Sequence, residues 1–276
     1  MSRQHELIQP FWWGSRLHCL SLLTCVMATS VFVADLSAKE IDFKVVSKVA
    51  GPGNVPTNVK NVTLFTKEQV FDVVWEDETS VEGLVWQRNT GQFTLLDPAR
   101  EIYCQVNLPE LVLLEELMRR KALGMKQFNM KQLLVAAAAP NFNPLWDEAE
   151  KQLTLSNPMI VYTARLTSPP EEECSIAYVQ FCDATARLNA SRPGKLPPQA
   201  RLALNREFRI KKQVPQSIEL RLQPSEEKPL ALRSQHQYVW QLTEEDREQL
   251  ELLRSWKNEF RQVELAKFRE TGQLIR

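Results

Sequence analysis

Histidine, glycine and cysteine are all scarce in this chain, and each scarcity removes a class of chemistry. Of 276 residues, 3 are His, 8 are Gly and 5 are Cys. His5 and His18 fall in an N-terminal segment read below as an export signal, which leaves His236. A single imidazole cannot build a multi-His zinc or iron site, and Cys104, Cys174 and Cys182 lack the paired spacing of structural zinc. No metal site is expected. A Ser-His-Asp triad would have to use His236, yet no Gly-x-Ser-x-Gly elbow presents a serine. A Cys-His pair stays formally open with any of the three thiols, against a lone His half-exposed on a sheet. Only Gly51 and Gly53 stand close together, so no Gly-rich loop can cradle a phosphate. Nucleotide partners and cofactors are therefore not expected.

An excess of one charge is missing too. Lys and Arg number 34, Asp and Glu number 34, and the net charge is zero. Nucleic-acid binders show a basic excess or stripe. Here Arg119-Arg120-Lys121 and Arg209-Lys211-Lys212 are short runs flanked by acids, read as solvated faces. No nucleic-acid partner is expected.

The N-terminus carries the strongest positive signal. Arg3 and Arg16 precede an uncharged run from Leu17 to Ala34 rich in Leu, Val, Ala, Met and Phe, and small residues follow. Cationic, then apolar, then small is the order of a secretory signal, with cleavage points after Ala28 or Ala38. The alternative is an uncleaved anchor through residues 17–34, since such a run just reaches spanning length. His18, Ser21, Thr24 and Ser30 interrupt it and favour the signal. Leu22-Leu23-Thr24-Cys25 resembles a lipoprotein box, but Thr before the Cys departs from that pattern. The expected organisation is a signal or anchor over 1–38 and one extracytoplasmic domain over 39–276, periplasmic or secreted.

That domain reads as α+β. Phe71, Val73 and Trp75 alternate, as do Ile102, Cys104 and Val106, with further runs at Val81–Gln87 and Phe93–Leu96. Earlier strands are expected near Ile41–Val49 and Val59–Phe65. Strands about ten residues apart, joined by short polar turns such as Asn89-Thr90-Gly91, predict an antiparallel meander over 41–106. Asn107 with Glu110 then opens a helix, which pauses at Gly124 and resumes from Met130 to Ala139. Strands return at Lys151–Ser156, Met159–Leu166, Ser217–Leu222 and Leu230–Trp240. Ala177, Phe181, Ala184 and Leu188 mark an amphipathic helix, and Pro197-Pro198 opens a shorter one through Leu204 and Phe208. Thr243 caps a last helix with Leu250, Leu253, Trp256 and Phe260 on its buried stripe.

Candidate site residues are few. Cys174 and Cys182 form a disulfide if the chain bends between them, and cannot if both sit on one straight helix. Cys104 reads as a buried thiol. Trp75, Trp86, Tyr162, Tyr238 and Trp240 all fall in strands, where they either pack under helices or form a ligand face. Met118, Met125 and Met130 fill core or line an adaptable lipid pocket. Asp72, Glu82, Asp97 and Asp183 read as turn, strand-exterior or helix-surface acids. No pair of them is singled out for hydrolysis, and an enzyme is not expected.

The run Val81–Asp97, ending in Phe-Thr-Leu-Leu-Asp-Pro, resembles the central meander of the outer-membrane lipoprotein carrier family. The resemblance implies a curved antiparallel sheet closed by helices over an apolar cavity. It covers about half of the exported part and carries over no binding residue. The first expectation is a binding or carrier domain for a lipid or other apolar ligand, and the apolar residues of the strands and of the first helix give Trp75, Trp86, Leu95, Met118, Tyr162 and Trp240 as its pocket candidates. The alternative is an envelope structural or interaction protein without a pocket, partnered by another envelope protein; a carboxylate-based hydrolase, which needs two acids facing each other across a cleft, ranks behind both.

Overall fold

Alternation between Phe43 and Val106 builds six strands in sequence: β1 Phe43–Ala50, β2 Pro56–Phe65, β3 Gln69–Glu76, β4 Thr79–Gln87, β5 Gln92–Asp97 and β6 Ile102–Asn107. They are seen in a computed structural model that describes residues 41–51, 56–76, 79–124, 130–223 and 229–270. The N-terminal segment read above as an export signal, Gly53, Met125 and the side chain of Met130 lie outside what is described. Each consecutive pair is antiparallel, from Phe43 opposite Phe65 to Leu95 opposite Cys104. Between β4 and β5, Gly91 takes a φ of 70°, and a Cβ there would stand 3.1 Å from that of Leu108. The tight turn therefore favours glycine on both counts.

Two helices follow, α1 Leu108–Gly124 and α2 Met130–Ala138. Asn107 donates to the Glu110 carboxylate at 3.1 Å across the first turn of α1. A second antiparallel run comprises β7 Asn143–Asp147, β8 Gln152–Ser156, β9 Ile160–Thr167, β10 Val214–Leu222 and β11 Leu230–Val239. Helices α3 Glu172–Ala190 and α4 Gln199–Lys211 are inserted between β9 and β10. The chain closes with α5 Glu244–Glu259, the short β12 Arg261–Gln262 and α6 Leu265–Arg269.

The two runs join where β1 pairs with β11. The result is one open 12-stranded sheet in the order β12-β6-β5-β4-β3-β2-β1-β11-β10-β9-β8-β7. Only the β12–β6 pair is parallel. The fold is α+β with a largely antiparallel sheet, and the twist of so many strands curves it. Residues Lys39–Arg276 form one unit.

Register assigns every strand an inner and an outer row. The inner row is apolar along most of the sheet: Phe43, Phe65, Trp86, Phe93 and Leu155 pack with Tyr178 and Phe181 of α3 and Phe208 of α4. Phe43 stacks on Phe65 at 4.2 Å, and Phe181 meets Phe65 edge-on at 5.7 Å. The outer row is apolar only over β2–β5, where α5 lays Leu250, Leu253 and Trp256 against Val62, Leu64, Phe71 and Leu96. That helix is held by a Thr243–Asp246 capping box and by Lys44 of β1, whose ammonium donates to Asp246 at 2.6 Å. Helices thus cover both faces, each above the strands whose alternation leaves an apolar row to bury.

Candidate functional site

A strand with neighbours on both sides in a covered sheet normally buries its inner row. β11 does not. It pairs with β1 and β10, yet none of its residues is buried. Its outer residues Arg233, Gln235 and Gln237 are exposed, and its inner residues Leu232, Ser234, His236 and Tyr238 remain half-buried. Leu220 and Leu222 beside it on β10, and Trp240 just after it, are half-buried as well. The helices leave this part of the inner face only partly covered.

The side chains around it are nevertheless deeply set. Burial, reinforced by the nearby Arg201 charge, pushes the His236 imidazole down to about 4. Burial also pushes the Tyr162, Tyr178 and Tyr238 phenols and the Cys182 thiol above their ordinary ranges. His236, Tyr238, Cys182 and Arg201 all keep accessible surface despite this desolvation. Close-packed side chains have no such surface. Desolvation with surface retained describes groups that line a recess between sheet and helices.

Five elements supply the lining. His236 is held in plane by Ser47 of β1 and Ser234 of β11, whose hydroxyls lie 2.8 Å from Nδ1 and 3.0 Å from Nε2. Tyr238 donates to the Pro215 carbonyl at 2.8 Å, stacks on Trp240 at 5.0 Å and meets Tyr178 edge-on at 5.9 Å. Tyr162 of β9 stands edge-on to Phe142 at 6.2 Å. Tyr178 and Cys182 are one turn apart on the buried side of α3. Arg201 comes from α4, on the stripe that also carries Leu204, Asn205 and Phe208, all three fully buried. Its guanidinium and the Tyr178 hydroxyl both reach the Cys182 sulfur.

Arg201 is the unusual member. Burial works against its charge, but Cys182, Tyr178 and Tyr162 around it outweigh that and hold the guanidinium above its ordinary value. Those three groups are neutral at pH 7, whereas a guanidinium stays charged. Among the described residues, no carboxylate forms an ion pair with Arg201. The nearest acid in sequence to its thiol partner, Asp183, is instead taken by Asn205 at 2.9 Å and Arg209 at 2.7 Å.

The six pocket candidates do not converge. Tyr162 and Trp240 belong to the recess. Trp86 and Leu95 lie farther along the inner wall, buried among Phe93, Phe181 and their neighbours. Met118 is half-buried on α1 and belongs to neither apolar cluster. Trp75 packs on the opposite face of the sheet with Trp256 and Phe260, so it cannot share a wall with Trp86.

The conditional Cys174–Cys182 bridge is ruled out. Both residues lie on the continuous helix α3, and two turns separate them by about 12 Å along its axis. Cys104 is buried, and burial pushes its thiol up to about 12. The reading of Asp72 and Glu82 as exterior acids also fails. Both stand on the inner row, where Asp72 accepts from Thr63 at 2.6 Å and Asn61 at 3.2 Å, and Glu82 pairs with Arg192 at 2.9 Å. Burial pushes Asp72 up to about 6. The two acids sit on adjacent strands of one face, each engaged by its own partners, and do not oppose one another across a cleft.

Elsewhere, a depression of about 520 Å³ opens between α5 and the β2–β3 turn. Its acids and bases are interleaved, with Arg247 paired to Asp42 at 2.8 Å, and select no ligand charge. Among the described residues no group of three or more His, Cys, Asp or Glu could hold a metal ion, and no helix is long and apolar enough to cross a membrane.

Sequence reasoning passed over Arg201 and Tyr178. For Arg201 a signal existed: it precedes Leu204, Asn205 and Phe208 by three, four and seven residues, which places it on the inward stripe of α4. Compared with known protein families and with curated proteins, the chain matches none.

Proposed function

We propose that this chain is an exported binding or carrier domain that holds an apolar ligand against the inner face of its curved sheet. The observation that carries the reading is the half-buried inner row of β11 beneath the helices, where Leu232 and, at the edge of the core, Tyr238, Trp240, Leu220 and Leu222 keep accessible apolar surface. Ligand pockets have this composition, mostly apolar and aromatic with a few placed polar groups. The resemblance of Val81–Asp97 to the lipoprotein-carrier meander agrees with it, as does the signal-like N-terminus.

Native mass spectrometry of protein purified without detergent, followed by organic extraction, tests the reading. A stoichiometric apolar compound, or binding of an added fatty acid that quenches Trp240 fluorescence, is expected. A protein that carries none and binds none overturns it.

One observation favours the second reading, an envelope interaction protein. Helix α1 leaves Val112, Leu113, Leu117 and Leu123 exposed. Removing these side chains would then abolish partner association in a protein that carries no ligand.

A further inference from the structure

The recess mixes apolar side chains with neutral polar groups, its one charged member is a cation, and that cation lacks a counter-ion among the described residues. A cation set among neutral side chains, with a thiol but no carboxylate as its partner, can take an anionic group from a ligand. Arg201 is presented by a helix stripe that is otherwise fully buried, so its inward direction is fixed by the packing of Leu204 and Phe208. The groups facing it are a thiol, phenols and an imidazole: Cys182, Tyr178, Tyr162 and His236. All are uncharged at neutral pH, so none competes for the guanidinium as an ion. The surrounding acids are occupied, Asp183 by Arg209 and Asn205, and Glu115 by Arg187 at 2.6 Å and Gln199 at 3.3 Å.

We infer that the ligand is an anionic amphiphile, a long-chain carboxylate whose head pairs with Arg201 while its chain lies along the half-buried apolar row of β10 and β11. The inference rests on the carrier reading above and specifies the chemistry of its ligand. Two features select a carboxylate over a phosphate. Among the described residues one cation faces the recess, which matches a single negative charge. The planar guanidinium fork also fits a carboxylate in bidentate fashion. His236 stays neutral and bonded to two serines, so it adds no second positive charge. The tail would contact Leu220, Leu222, Leu232, Tyr238 and Trp240, which keep accessible surface along the inner face.

Binding of oleate, methyl oleate and oleoyl lysophosphatidate to the delipidated protein tests the inference, measured by calorimetry on wild type, R201M and R201K. Wild type is expected to bind oleate at least ~10-fold more tightly than methyl oleate, the size of one charge-assisted hydrogen bond. R201M is expected to lose that difference while keeping its affinity for methyl oleate, and R201K to fall between. Equal affinity of wild type for oleate and its ester overturns the carboxylate assignment and leaves the apolar-carrier reading standing. Tighter binding of the lysophosphatidate than of oleate also overturns it, in favour of a phosphate head. Failure of wild type to bind any of the three overturns the carrier reading itself. The wild-type comparison decides the matter even if R201M does not fold.

Discussion

Ser47 and His236 stand directly opposite each other on β1 and β11, and the serine hydroxyl lies 2.8 Å from the imidazole Nδ1. With Ser234 on Nε2, both ring nitrogens are engaged by hydroxyls, which can each donate or accept and so satisfy the neutral ring. A second proton would leave the imidazolium deeply set, beside the Arg201 charge and without an acid. This is why its value falls from 6.5 to about 4.

The pH dependence of stability follows. The unfolded chain takes up the His236 proton near 6.5, the folded chain only near 4. Stability from keeping the ring neutral is therefore present above 6.5 and lost as pH falls toward 4. The slope is at most about 1.4 kcal/mol per pH unit. Urea unfolding of wild type and H236Q should show the wild type losing ground to the variant across that window. Parallel curves would show that the ring is not desolvated.

Asp72 works in the opposite direction. Burial raises it from 3.8 to about 6, against the hydrogen bonds from Thr63 and Asn61. Folding thus favours the protonated acid, a contribution present below 3.8 and lost as pH rises through about 6. Relative to D72N, the wild type should be progressively less stable from pH 4 to pH 7. Because His236 and Asp72 oppose each other over much of this range, each single variant should show a steeper pH profile than the wild type.

Most of the strand and helix pattern was legible because it depends on local alternation and spacing. Thr243 with Leu250, Leu253 and Trp256 gives α5, and the Ile102–Cys104–Val106 alternation gives β6. β7 was missed because Pro144 and five mainly exposed residues read as loop; as an edge strand it tolerates the proline. Facing was harder. Trp75 and Trp86 look alike in sequence, but which row each joins depends on pairing across β3 and β4, where a register shift falls between Val74 and Trp75. Asp72 and Glu82 were misplaced for the same reason. The recess itself was illegible, because it arises from what α3 and α4 fail to cover and not from any strand's own residues.

The geometry of α3 makes a prediction about oxidation. Cys174 and Cys182 cannot bridge without breaking the helix. Intact mass measured on protein kept under air should show no loss of two hydrogens from an internal disulfide. Cys104, fully buried with its thiol pushed up to about 12, should react with a thiol reagent only after denaturation. Rapid labelling of Cys104 in the native protein would contradict its place in the inner core.

Stability measurements distinguish a structural arginine from one held for a ligand. Arg187 and Arg201 both point inward from neighbouring helices, but only Arg187 has a carboxylate, that of Glu115 at 2.6 Å. Removing one member of such a pair strands the other, so R187M should lose about 1–3 kcal/mol. R201M strands no acid among the described residues, and replaces a desolvated cation with an apolar chain of similar length. Its effect in the ligand-free protein should be neutral or stabilising, by up to about 2 kcal/mol, or a rise of several degrees in Tm. With ligand bound the order should reverse, since wild type alone gains the stabilisation that an anion supplies by binding the folded state. A large loss of stability in ligand-free R201M would instead make Arg201 a structural residue already satisfied by its neutral neighbours.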